Sequence, residues 1–166
     1  MFEEKLNDLY GEIVGKMCSM IPCEYENIHF LGRMSDDGGS VRFYFNTKEI
    51  DDEYIDSLDI TEKFNVSEEI FNKLDDELYD LTRELYNTFV ENGQEAWICV
   101  IMHYDKNGKF ELEYNYIDWF EKGYTQMDII SYFEYKYLNI MPYGGERYLK
   151  VMKKMESIEL EQANGD

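Results

Sequence analysis

The stretch AWICVIMHYDKNGKFELEYNY (96–116) decides the fold. Its first part, AWICVIMHY (96–104), is an apolar run rich in branched and aromatic residues and reads as a strand. In its last part, KFELEYNY (109–116), Phe110, Leu112, Tyr114 and Tyr116 alternate with Glu111, Glu113 and Asn115. That period of two places one face on a core and the other in water. Between them, DKNG (105–108) supplies the Asn-Gly dipeptide of tight hairpin turns. The same residues invite comparison with a calcium loop. With Gly108 at the sixth position of such a loop, His103 falls first and Tyr114 twelfth, where Asp and a bidentate Glu belong. The match fails at both ends, and an antiparallel hairpin is the better account.

Upstream of this hairpin, Ser67 is a suitable N-cap for a long helix that Asn92-Gly93 closes. Ile70, Leu74, Leu78, Leu81, Leu85 and Phe89 recur at helical spacing and predict its buried stripe. At about 100° per residue, Glu69, Asp76 and Asp80 fall opposite that stripe, with Lys73 and Arg83 among them. Asp75 falls on one flank, Glu77 and Glu84 on the other. Within KLDDELYDLTREL (73–85), Asp76–Asp80 and Asp80–Glu84 are like-charge pairs four apart. Each such pair weakens an isolated helix by roughly 0.2–0.5 kcal/mol.

Further toward the N-terminus, Phe2, Leu6, Leu9, Ile13, Met17 and Met20 predict an amphipathic helix that Pro22 ends. NIHFLGRM (27–34) and VRFYFN (41–46) flank SDDGGS (35–40), which reads as a first hairpin with a glycine turn. Residues 47–66 have no clean period and read as a long surface connection with a short helical turn. Downstream, Gly123 precedes an aromatic helical run, YTQMDIISYFEYKYL (124–138), broken by Pro142 and Gly144-Gly145. A final amphipathic helix carries Tyr148, Leu149, Met152, Met155 and Ile158. The order α-β-β-α-β-β-α-α has no βαβ alternation. It predicts an α+β fold, a four-stranded antiparallel sheet from two hairpins packed against helices. One domain over 1–160 with a frayed tail at 161–166 is expected.

Composition narrows the function. Of 166 residues, 44% are hydrophobic and 27 are aromatic, which suits a folded core rather than an acidic disordered chain. A formal charge of −20 opposes unaided binding to nucleic acid or to an anionic membrane, because the long-range field repels phosphate. The opening MFEEKLNDLY lacks the apolar segment of a signal peptide, and the longest strongly apolar run, WICVIM (97–102), is too short to cross a bilayer. Cys18, Cys23 and Cys99 are an odd set, read as reduced thiols in a cytoplasm.

No catalytic machinery is identifiable. There is no phosphate-binding G-x-x-x-x-G-K-[ST] loop and no G-x-S-x-G elbow. His29 and His103 each sit inside a strand without metal-ligand spacing, so neither a metal nor a cofactor is expected. A hydrolase using a carboxylate-bound metal stays open as the enzymatic alternative, because carboxylates are plentiful.

What is distinctive is the placement of acid. Residues 67–92 hold eight acids and two bases, and residues 49–62 hold seven acids and no base, so 40 residues supply 13 of the 20 excess negative charges. A solvated face and a surface shaped for a basic protein explain this equally well from composition alone.

These segments together resemble the YezG-like family of bacterial immunity proteins. The similar features are FEEKLNDLYGEIVGKMCSMIP (2–22), the DDGG turn (36–39), NVSEEIFNKLDDELYDLTREL (65–85), ENGQEAW (91–97) and DKNGKFELEYNYIDW (105–119) with the aromatic helix beyond it. The likeness runs in order from the first residues to about 155. Ala96 departs from it, standing where the family is expected to carry Pro before the Trp. The resemblance implies a cytoplasmic antitoxin that binds the basic C-terminal nuclease domain of a toxin exported by a type VII secretion system. It also allows an orphan immunity protein directed at the toxins of competing strains. It supplies no contact residues. The acid-rich segments themselves nominate Asp75, Asp76, Asp80 and Glu84 on the helix, and Asp51, Asp52, Glu53 and Asp56 in the connection. Occlusion of the toxin's active site and disturbance of its fold or assembly are both open as modes of inhibition.

Overall fold

A computed structural model describes residues 1–48 and 50–164, with the side chains of 50–52 outside the description. The chain forms two compact units, Met1–Tyr116 and Ile117–Asp166.

The first unit is an antiparallel sheet with two long helices on one face. The helices are α1 (Phe2–Met20) and α3 (Glu68–Glu91), and a short α2 (Ile60–Phe64) leads into α3. The strands are β1 (Asn27–Ser35), β2 (Gly38–Thr47), β3 (Ile50–Asp56), β4 (Cys99–Asp105) and β5 (Phe110–Asn115), in spatial order β3-β2-β1-β4-β5. The α+β class stands, but the sheet has five strands where the sequence predicts four. The extra strand, β3, lies in the segment read as a surface connection. It pairs antiparallel with β2, Phe45 opposite Ile55 and Tyr44 opposite Asp56, and a register shift lies between Phe45 and Thr47. Being at the sheet edge, it bonds to a single neighbour. An Arg42–Asp56 ion pair at 3.2 Å and a hydrogen bond from the Phe43 N–H to buried Ser57 Oγ fix its far end.

Both expected hairpins form. In the first, Ser35 pairs with Gly38, so Asp36-Asp37 makes the turn and the two glycines begin β2. A Cβ at Gly39 would come within 2.4 Å of the Arg33 carbonyl oxygen, so close backbone approach demands the glycine there. In the second, the Asp105 carboxylate accepts from the N–H groups of Asn107 and Lys109, and Gly108 takes a positive φ. That carboxylate braces a turn, as the failed calcium-loop match implies.

Helix α3 begins at the expected cap, Ser67 Oγ accepting from the Ile70 N–H. Its buried line agrees with prediction at Leu78, Leu85 and Phe89, with Leu74 and Leu81 packed against the core, and differs at its start. Ile70 is 59% exposed, and Phe71 is buried in its place. Leu78, Thr82, Leu85, Tyr86 and Phe89 continue the line. The line centres on Thr82, which is fully buried over β1. A Cβ added to Gly32 would lie 2.9 Å from the Thr82 methyl, 3.0 Å from Val100 and 3.1 Å from the Phe30 ring. Thr82 returns its hydroxyl to the Leu78 carbonyl oxygen at 2.8 Å, which satisfies the buried polar group. Arg83 and Tyr86 follow it around the helix and hold the first hairpin. Arg83 donates to the Ser35 carbonyl oxygen at 2.6 Å and Tyr86 to the Asp36 carboxylate at 3.2 Å. Arg83 is therefore not on the solvent face where helical spacing places it.

Helix α1 lies antiparallel to α3, Phe2 against Phe89 and Lys16 against Glu77. Leu9, Ile13, Met17 and Met20 join Phe30, Met34, Phe43, Phe45, Val100, Met102 and Trp97 in one core. Burying such side chains stabilises by roughly 1.5–3 kcal/mol each.

In the second unit, α4 (Gln126–Leu138) starts from a capping box. Thr125 Oγ accepts from the Asp128 N–H and the Asp128 carboxylate accepts from the Thr125 N–H. Its Tyr132 and Lys136 both reach Glu159 on α5 (Glu146–Asn164). The Tyr132 ring lies 5.9 Å from the buried Trp119 ring.

Because the Thr82 and Val100 side chains are branched and stiff, Gly32→Val is expected to overpack this contact. A loss of about 1–3 kcal/mol in denaturant unfolding is expected, with a smaller loss for Gly32→Ala. Wild-type stability in the valine variant would remove Gly32 as a point of close helix–sheet packing.

Candidate partner-binding surface

The eight nominated acids fall into distinct environments. On α3, Asp76 and Asp80 are exposed on the outer ridge, one helical turn apart. Among the described residues neither has a cation at ion-pair distance. Glu84, next on that line, is half-exposed and meets Lys5 of α1 at 3.5 Å. Glu77 bonds to Lys16, which holds its carboxyl below the ordinary value. Both lysines of α1 are therefore turned toward α3.

Asp75 turns away from the ridge and is half-buried. Burial first, and then the charge of Asp76, push its carboxyl above the ordinary value. Folding is easier when that carboxyl is protonated. Its contribution to stability is thus largest below the unfolded-state value and is lost as pH rises through the raised folded value. At neutral pH it is an acid retained at some cost to the fold.

The other four nominated acids belong to edge strand β3. Glu53 is exposed. Asp56 is committed within the protein, paired with Arg42 and accepting from the Leu58 N–H at 3.0 Å. The side chains of Asp51 and Asp52 lie outside the described residues. The helix therefore presents a continuous acid line, Asp76–Asp80–Glu84, and the strand a separate group on the sheet edge.

The strand histidines, treated separately in the sequence, meet across β1 and β4. They are register partners whose Nδ1 atoms lie 2.7 Å apart. Burial, then the neighbouring His103, lowers His29 to about 4, with Glu111 acting in the opposite sense, so His29 is neutral at pH 7. The sequence carried no signal for this meeting, because β1 and β4 are neighbours in the sheet but not in the chain. Among the described residues no group of three or more His, Cys, Asp or Glu side chains converges as a metal site. No described helix is long and apolar enough to cross a membrane.

A family model described as "Immunity protein YezG-like" matches residues 6–152. The chain is 33% identical over 141 residues to the type VII secretion system protein EsaG of Staphylococcus aureus, covering 85% of this chain and 86% of that protein. It is 35% identical over 138 residues to the immunity protein YezG of Bacillus spizizenii, covering 83% and 85% of the two chains. It is also 35% identical over 137 residues to YezG of Bacillus subtilis, covering 82% and 90%.

Replacing Asp75 with Asn removes the strained charge and keeps the shape. The variant is expected to melt at a higher temperature than wild type at pH 7. At pH 3, where protonation has already neutralised most of the carboxyl, the difference should shrink toward zero. A lower Tm at pH 7 would mean that the carboxylate is favourably bound.

Proposed function

Because the chain belongs to the YezG-like immunity protein family, we propose that it is an antitoxin acting in the cytoplasm of the producing cell. It binds the basic nuclease domain of a secreted toxin and neutralises it as a stoichiometric inhibitor, with no chemistry of its own. The relatives support this reading by their descriptions as immunity proteins and as a type VII secretion system protein.

The observation that carries the acidic-surface reading is the unequal use of charge on α3 and α1. Lys5, Lys16 and Arg83 are drawn into contacts within the fold, while Asp76 and Asp80 stay exposed with no cation at ion-pair distance among the described residues. A nuclease surface that grips phosphates is cationic. Opposite charge raises the rate of encounter, and close interfacial ion pairs couple by roughly 1.5–7 kcal/mol. Such gains exceed the few tenths of a kcal/mol that each like-charge pair costs the helix. Asp76 and Asp80 form the main contact, flanked by half-buried Asp75 and by Glu84, and Glu53, with Asp51 and Asp52 on the same strand, adds a separate group. Asp56 is the weakest member of the set, because Arg42 already neutralises it.

Pull-down against a panel of type VII toxin nuclease domains tests the proposal directly; one salt-stable complex with loss of nuclease activity is expected. Failure to bind any member would remove the reading. Given a complex, Asp76→Lys combined with Asp80→Lys is expected to slow association at least tenfold at low salt while changing Tm little. The difference should narrow as salt screens the surface. Unchanged association kinetics at low salt would make this ridge a merely solvated face.

A further inference from the structure

The flank of α1 away from α3 is built differently from the rest of the helix. There Tyr10, Gly11, Val14 and Gly15 border an open groove of about 470 Å³ whose far wall is Tyr104 of β4 and Phe110 of edge strand β5. The Tyr10 and Phe110 rings stand 5.9 Å apart, and Phe110 is 36% exposed at the rim. A space of this size, with aromatic walls, suits one large apolar side chain.

The groove floor has no internal purpose. A glycine inside a helix costs stability relative to alanine, because the unfolded chain gains freedom and nothing is packed in return. Gly32 and Gly39 have reasons within the fold, since neighbouring atoms leave no room for a Cβ. At Gly11 and Gly15 an added Cβ would meet nothing within 4 Å. Two bare positions one turn apart leave the α1 backbone open to close approach from outside the chain.

Charge indicates what approaches. Glu4 and Asp8 continue the ridge of Gly11 and Gly15, and Glu3 continues that of Tyr10 and Val14. All three are exposed, and among the described residues none is paired with a cation. Both α1 lysines point to α3, and on the β4–β5 turn Lys106 is held by Glu26 and Lys109 by Glu111. The rim is therefore acidic around an apolar slot. A second copy of a chain carrying −20 would bring acid against acid.

We infer that this groove receives a segment of the cationic toxin, one aromatic or branched apolar side chain seated in the groove against the Tyr10–Phe110 pair and Tyr104, flanking Lys or Arg residues on the acid rim, and its backbone close over Gly11 and Gly15. The inference rests on the antitoxin reading and adds to the charged contact of the α3 acids a specific apolar anchor.

Gly11→Leu, Gly15→Leu and Phe110→Ala are to be compared with wild type for binding to the toxin nuclease domain that wild type captures. Calorimetry gives Kd, and circular dichroism gives Tm. Each leucine is expected to weaken Kd at least 100-fold while Tm stays level or rises, and Phe110→Ala to weaken Kd at least tenfold. Leucine variants that keep wild-type Kd overturn the groove but leave the antitoxin reading intact. Absence of wild-type binding to every toxin domain overturns both. Sedimentation that shows a wild-type dimer, dissociated by Gly15→Leu, identifies a second copy as the occupant and also overturns the inference.

Discussion

Helix α3 meets the sheet closely where Thr82 lies over Gly32 of β1, with no room there for a Cβ. That contact sets how near the helix comes to the sheet, and several other features follow from that height. With Thr82 at the bottom, Phe71, Leu78, Leu85 and Phe89 point into the core. Asp76 and Asp80 are consequently carried to the outside. Arg83 and Tyr86, one step around, reach the Asp36-Asp37 turn. The opposite flank receives α1 through Lys5 and Lys16. A helix seated higher by one methyl layer would lose these contacts together.

The fold also determines what the composition does. A charge of −20 describes the chain on average, but recognition depends on which charges are already satisfied. Three cations near the acid-rich helix are consumed by Glu77, Glu84 and the Ser35 carbonyl oxygen. What is left outward at the middle of α3 is the Asp76–Asp80 pair, which among the described residues has no cation at ion-pair distance. Asp75 shows the same trade from the other side, because a half-buried acid beside another acid is retained against local stability.

Much of this was legible in the sequence, for reasons that differ by element. The second hairpin was readable because its turn chemistry and its alternation agree. The ends of α1 and α3 were readable from Pro22 and Ser67. Strand β3 was not, because an edge strand bonds to one neighbour and only Ile55 among its described side chains is fully buried, which leaves no alternation to detect. The buried line of α3 was legible at Leu78, Leu85 and Phe89, with Leu74 and Leu81 packed beside them. The apolar pattern missed Phe71, Thr82 and Tyr86 and wrongly took in Ile70, because a polar threonine does not stand out in such a pattern. Angle alone placed Glu69, Asp76 and Asp80 outward, but did not show the half-burial of Asp75. The partners of the helix acids were not legible, since Lys5–Glu84 and Lys16–Glu77 join residues far apart in the chain. The groove on α1 left one trace in the sequence, a pair of glycines inside an otherwise regular amphipathic run.

The bonds from Arg83 and Tyr86 to the first turn have a consequence for cooperativity. A hairpin closed by a two-residue turn is ordinarily a local structure, free to open and close on its own. Here its tip is fastened to a helix about 50 residues further along the chain. Amide protons of β1 and β2 near that tip are thereby protected by the docking of α3 as well as by their own ladder. Local fraying at the turn is coupled to release of the helix that carries the outward acids, so the two exchange with solvent as one unit.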